Sequence, residues 1–211
     1  MRRIDKGPPP ASLSHHAAHP DATYDDYREK QDLREALVRD QRGLCCYCMR
    51  RIRATSDGVR IEHFRPRRHE ELQLSWTNLL GACPGVVKNA REIHHTCDVS
   101  KGDQEISVDP QRLRPGEIRY LADGTITTAD VDAQADIDDV LRLNHPTLVG
   151  NRRKVHDELI RQLIGAGGRG AWGVARLAQK LAEIREGPAL PEFAGLMEFW
   201  LERRLRRLEP A

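Results

Sequence analysis

At 211 residues the chain is long enough for one domain, or for a small domain with appendages. Hydrophobic residues make up 39% and aromatics 5%, which predicts an aliphatic core of modest size, the kind a metal or a disulfide often staples. With 34 basic against 32 acidic residues the net charge is only +2, so a broadly polycationic nucleic-acid binder is excluded and any such role must rest on local charge.

Met1-Arg2-Arg3 is basic, but Ile4 to Pro10 offers no apolar segment behind it, so no signal peptide is expected. No run approaches transmembrane length. A cytoplasmic location is expected, where grouped cysteines hold metal or do chemistry more often than they form disulfides. The first 23 residues read as a flexible, loop-like arm. Pro8 to Pro10 lack amide donors and Ser12 to Asp21 is small and polar, so His15, His16 and His19 read as solvated. A helix is predicted from about Asp25 to Arg42 on the stripe Tyr24, Tyr27, Leu33, Leu37 and Val38, with Gly43 ending it.

All five cysteines fall between Leu44 and Gly102. Cys45 and Cys48 have the spacing that brings two thiolates to one tetrahedral ion across a tight turn, while Cys46 between them must point elsewhere. The pair alone also suits a thiol redox site. Cys83 and Cys97 lie farther apart and would meet through the fold, giving a zinc site of Cys45, Cys48, Cys83 and Cys97. His94 in His94-x-x-Cys97 is an alternative ligand, and a cluster of reduced thiols is the alternative to metal.

Between the cysteine pairs, Arg60 to Phe64 reads as a short strand after the turn signal Asp57-Gly58, with Glu62 and His63 near its exit. Arg65-Pro66-Arg67-Arg68-His69 follows as a basic loop, which is either a solvated face or a surface for a phosphodiester. Trp76 to Leu80 reads as a short helical or turn segment. Its Asn78 interrupts an apolar run and needs hydrogen-bond partners if buried, as a loop anchor, a ring-orienting group or a cap. Cys97 to Lys101 is predicted to form a short helix that presents Asp98 at its start and ends at Gly102. Glu62 and Asp98 are hard oxygen ligands suited to Mg²⁺ or Mn²⁺, separate in chemistry from the soft cysteines.

After Gly102, Ile106 to Pro110 reads as a returning strand and Gly116 to Thr128 as a small hairpin. Helices are expected at Ala133 to Leu143, at Leu148 to Ile164 with a basic face of Arg152, Arg153, Lys154 and Arg161, at Trp172 to Arg185, and at Pro191 to Leu208. Gly165 to Gly170 lacks the lysine of a nucleotide-binding loop and reads as a linker. The last helix carries Phe193, Leu196, Phe199 and Trp200, either as internal core or as a docking surface.

Taken together, Cys45-Cys46-Tyr47-Cys48, Glu62-His63-Phe64-Arg65-Pro66, Trp76-Thr77-Asn78-Leu79-Leu80 and Cys97-Asp98-Val99-Ser100-Lys101-Gly102 resemble the HNH endonucleases. The branch they resemble most is the PtuB-like nuclease subunits of Septu antiphage defence and related retron systems. Gln41-x-x-Leu44-Cys45, Asp109-Pro110, Val140 to Asn144 and the following Arg152 or Arg153 extend the likeness over most of the chain. The resemblance implies an α+β fold, a zinc-stapled ββα-metal (HNH) core embedded in a mostly helical chain. It implies His63 as general base, Glu62 and Asp98 as ligands of a catalytic Mg²⁺ or Mn²⁺, Asn78 as support of the catalytic loop, and structural Zn²⁺ on the four cysteines. Arg65, Arg67 and Lys101 are then candidates for phosphate contacts, DNA is the substrate, and a PtuA-like ATPase is the partner subunit.

Two departures stand out. Asp98 falls where many HNH enzymes have a final histidine, and the insertion from Pro84 to Thr96, with Lys88, Arg91, His94 and His95, is longer than a knuckle. The expected organisation is an arm over 1–23, a nuclease module over 24–130 and a helical region over 131–211. Besides the endonuclease, the residues allow a catalytically inactive zinc-stapled nucleic-acid-binding or scaffold subunit, or a redox protein acting through Cys45 and Cys48.

Overall fold

The computed structural model describes residues 1–88, 93–165 and 172–208. Arg91 and most of the glycine-rich stretch, 166–170, lie outside them. The described residues form an α+β fold in which small sheets sit among helices, and they hold three two-stranded antiparallel sheets. No helix among them is long and apolar enough to cross a membrane.

The site is framed by α2 (Lys30–Asp40), β1 (Arg60–His63), β2 (Leu79–Ala82) and α3 (Cys97–Lys101); numbering starts from α1 (Ala11–Ala17), described below. Leu33, Ala36 and Leu37 make the buried face of α2. β1 and β2 pair with Glu62 opposite Leu80 and His63 opposite Leu79. All four residues of β2 are buried. Gln41, just past α2, ties this strand down: its Oε1 accepts from the Gly81 amide at 2.6 Å, and its Nε2 donates to the Gly81 and Leu44 carbonyls at 2.7 and 2.8 Å. The Pro84–Thr96 insertion contributes a second pair, β3 (Val86–Lys88) with β4 (Ile93–His95). The chain continues through the hairpin β5 (Arg119–Tyr120) and β6 (Ile126–Thr127), then α4 (Val131–Ala135), α5 (Pro146–Gly165), α6 (Val174–Glu186) and α7 (Ala194–Leu208).

Several expectations need correction. Residues 1–23 are not all loop. α1 (Ala11–Ala17) buries Leu13 with Tyr27, Leu33, Leu37 and Leu79, while Met1 and Ile4 enter the main core and the Ile4 amide bonds the Pro110 carbonyl at 2.9 Å. Single apolar residues spaced through a polar run leave no stripe to read. The second helix starts at Lys30 and not at Asp25. Asp57-Gly58 precedes β1, as read, and the partner of β1 is the downstream β2. Ile106 to Pro110 forms no strand; the Ser107 and Val108 amides instead bond the Asp136 carboxylate at 2.6 and 3.3 Å. The helix expected at Ala133 begins at Val131, where Asp130 accepts from the Ala133 amide, and continues as a π-helical turn over Asp136–Val140.

Arg152, expected on a basic helix face, is fully buried. Its guanidinium bonds the Gly124 and Leu143 carbonyls and Asn144 Oδ1, tying α5 to the β5–β6 turn and to the segment before α5. Gly124 is required there: at φ +96°, a Cβ would meet the Val149 carbonyl at 2.3 Å.

Candidate functional site

The first part of the site is a thiol cluster. One ligand atom from each of Cys45, Cys48, Cys83 and Cys97 lies within 4.8 Å of the others, and all four residues are buried. Cys48 Sγ is 3.6 Å from Cys83 Sγ, which is 3.8 Å from Cys97 Sγ. A tetrahedral zinc with Zn–S bonds of about 2.3 Å places neighbouring sulfurs about 3.8 Å apart, so the four thiols can hold a zinc ion. The local backbone explains the convergence. Met49 takes φ +62° just after Cys48, its amide bonds the Cys45 carbonyl, and the Cys45 amide bonds the Arg50 carbonyl, which closes a knuckle. Cys97 itself sits at φ +59° at the head of α3, with its amide on the Leu141 carbonyl.

Arg50 donates to Cys83 Sγ at 3.2 Å and to the Val86 carbonyl at 3.0 Å, placing a cation beside a cluster that would carry excess negative charge as thiolates. Cys46 is not one of the four: its amide bonds the Gly81 carbonyl, its thiol meets that of Cys45, and burial pushes it up to about 11. His94, the alternative ligand, packs its ring on His145 with centroids 4.8 Å apart.

The second part surrounds His63. Its ring is buried, with Tyr24 edge-on at 4.5 Å between centroids. Nε2 is 3.0 Å from the Gln73 carbonyl. A carbonyl only accepts, so Nε2 carries the proton and Nδ1 is left with the free lone pair. Burial lowers the imidazole from 6.5 to about 4, which keeps it neutral near pH 7. Asn78 holds the loop that follows. Its Oδ1 accepts from the Arg65 amide at 2.7 Å, and its Nδ2 donates to the carbonyls of Arg65 and Leu72 at 3.0 and 3.1 Å.

The third part is a buried charge cluster. Glu62 Oε1 accepts from Tyr47 Oη at 2.7 Å and lies 2.9 Å from Lys101 Nζ. Burial first, then hydrogen bonding to Asp98 and its negative charge, push Glu62 up to about 8. Burial alone would raise Asp98, but hydrogen bonds from Glu62 and Arg60 outweigh it and hold its carboxyl below the usual range. Glu62 and Asp98 are therefore brought together, with Arg60 on the outer side and Lys101 on the inner. Lys101 is not a surface phosphate contact. It is fully buried, and its ammonium also donates to the His63 carbonyl at 2.9 Å, because the last turn of α3 packs directly beneath β1.

The basic loop forms the rim. Arg65 and Arg67 are exposed, as expected, but each is paired: Arg67 with Asp25 at 2.6 Å and Arg65 with Glu105 at 2.7 Å. Beside Arg65 lies a cleft of about 530 Å³ lined by Phe64, Thr77, Asn78, Gln111 and Arg112 among others. The sequence reading missed Tyr24, Gln73, Arg50, Arg60 and Glu105 as parts of the site. Arg50 and Arg60 lie two residues from Cys48 and Glu62, but their partners Cys83 and Asp98 are distant in sequence; Tyr24, Gln73 and Glu105 lie outside the motifs, where no local signal marks them. Tyr47 and Gln41 were in view within the motifs, but their bonds to Glu62 and Gly81 were not. No family model matches the chain, and no curated protein matches it either.

Proposed function

We propose that the chain is a metal-dependent DNA endonuclease of the HNH type, the nuclease subunit of an antiphage defence complex whose PtuA-like ATPase supplies the nucleotide chemistry. The observation that carries this reading is the convergence of Glu62 on β1 with Asp98 at the start of α3, with His63 next in the strand and Asn78 bracing the loop beyond it. β1 and β2, followed by α3 after the inserted β3–β4 pair, supply the two strands and the helix that a ββα-metal reading calls for. The four cysteines would hold the helix start against the knuckle. The Glu62–Asp98 pair fits a hard divalent ion, since two carboxylates meet there in a buried place. A Mg²⁺ or Mn²⁺ ion there would stabilise the charge that builds on the phosphodiester and on the leaving oxygen. His63 would take a proton from water through Nδ1, its neutral form secured by burial and its tautomer by Gln73.

One observation favours the alternative of a zinc-stapled nucleic-acid-binding or scaffold subunit without catalysis. Lys101 already places a cation 2.9 Å from Glu62. Plasmid cleavage across a Mn²⁺ titration, with the ATPase present, separates the two. The nuclease reading expects wild-type nicking or linearisation, its loss by about 100-fold or more in His63→Ala, and a raised Mn²⁺ requirement in Asp98→Ala. A wild type that binds DNA without cutting it at any Mn²⁺ concentration establishes the alternative.

A further inference from the structure

The basic loop carries more positive charge than the candidate chemistry uses, and it is not free. Three of its side chains converge on one carboxylate. Arg65 Nη1 lies 2.7 Å from Glu105 Oε2, while Arg68 Nη2 and His69 Nε2 lie 2.6 and 2.7 Å from Oε1. Arg68 also donates to the Asp103 carbonyl. Hydrogen bonds from Arg65, the largest cause, and from His69, with the nearby arginine charges, hold Glu105 down at about 2.

We propose that Arg65, Arg68 and His69 form a phosphodiester-binding subsite for nucleic acid in which Glu105 stands where a backbone phosphate binds. The proposal rests on the nucleic-acid reading above and extends it to an internal latch. Two guanidinium groups each donate one bond to a different oxygen of the same anion, and guanidinium donors recognise phosphate oxygens as readily as carboxylate oxygens. The backbone that carries these groups is braced independently of Glu105, because Asn78 bonds the loop at Arg65 and at Leu72. The acid comes from elsewhere, on the segment after α3. The pairs are solvent-exposed, and exposed ion pairs contribute little to stability, so an incoming phosphate can displace the carboxylate. The cleft beside Arg65 carries Arg112, paired with Asp109, and also Glu117 on its wall, so the subsite is confined to the Glu105 cluster and the strand's further course is left to the cleft's polar groups.

The test is binding of a fluorescently labelled DNA duplex, followed by anisotropy over a range of salt without added Mg²⁺ or Mn²⁺. Glu105→Gln should tighten binding about tenfold at low salt. The double variant Arg65→Gln/Arg68→Gln should weaken it about tenfold and flatten the slope of log affinity against log salt by about 2, one for each lost phosphate contact. Adding Glu105→Gln to that double variant should give no gain. An unchanged or weaker affinity in a folded Glu105→Gln protein overturns the proposal. So does a gain that persists without the arginines, which would reflect net charge alone. If Glu105→Gln fails to fold, the salt slope of Arg68→Gln decides, and a slope equal to wild type overturns the subsite. Inorganic phosphate is added at constant ionic strength as a second arm; displacement of the DNA by millimolar phosphate would assign the site to free phosphate instead. Cleavage is not read. A protein that obeys these rules and never cuts DNA upholds the subsite and refutes the nuclease, and a nuclease whose binding ignores Glu105 does the reverse.

Discussion

At the scale of single residues, His63 shows how burial and one hydrogen bond set a chemical role. Its position after Glu62 was legible, because an acid–histidine pair at a strand exit beside a basic loop is a local pattern. Its environment was not, since Tyr24 and the Gln73 carbonyl reach the ring through the fold. The imidazole ionises near 6.5 in the unfolded chain and at about 4 in the folded one, so the unfolded state binds its proton first as pH falls. The stability that neutral His63 contributes is complete above pH 6.5 and is lost as pH drops through about 4. Long-range ¹⁵N NMR of the ring should show a neutral Nε2–H tautomer from pH 7 down to pH 5. A midpoint at or above 6.5 would contradict the buried placement. Lys101 teaches the opposite lesson. A lysine beside a motif reads as a surface cation, and nothing local announces that one helical turn will fold it beneath β1 against Glu62.

At the scale of elements, the central β1–β2 pair was half legible. β1 has its turn signal and a charged, alternating sequence. β2, Leu79-Leu80-Gly81-Ala82, is buried along its whole length and so lacks alternation, and a short apolar run cannot be told from a helical turn by period. Beside its pairing with β1, this strand is tied by Gln41, whose amide serves both the N–H and the C=O of Gly81, a carbonyl that also accepts from the Cys46 amide. Three buried hydrogen bonds at roughly 1 kcal/mol each, plus the cost of leaving backbone groups unpaired, predict that Gln41→Ala loses about 2–4 kcal/mol. Urea unfolding measures it; a loss under about 0.5 kcal/mol would mean that water replaces the side chain there. Asn78→Ala should differ in kind. It frees the loop between Arg65 and Leu72, so amide hydrogen exchange should rise in residues 65–72 more than in β1 or β2. Uniform exchange across all three segments would count against a bracing role.

At the scale of the whole molecule, the thiol cluster sits inside a core that runs from Met1 to Leu201, across the boundary expected near residue 130. That boundary looked natural because the strand-and-cysteine pattern gives way to helical stripes. The packing ignores it. The Phe193 amide bonds the Met49 carbonyl at 3.0 Å, the Gly195 amide lies 3.3 Å from Met49 Sδ, and Arg51 reaches the Leu190 carbonyl and its amide reaches Glu192, so the knuckle and the entry to α7 hold each other. Leu196 is fully buried, while Phe199 and Trp200 are partly buried against the same core. Metal binding should therefore be coupled to the folding of the distant helices and not only to the knuckle. Cys45→Ser should lose zinc by elemental analysis, whereas Cys46→Ser should retain one zinc per chain, because Cys46 lies outside the cluster. In Cys45→Ser, and in wild type stripped by a strong chelator, tryptophan fluorescence and helical circular dichroism should melt together at a lower temperature than in the zinc-loaded protein. Helices that melt at the wild-type temperature after zinc is gone would show that α5–α7 stand alone, and would restore the two-part organisation that the sequence pattern alone favours.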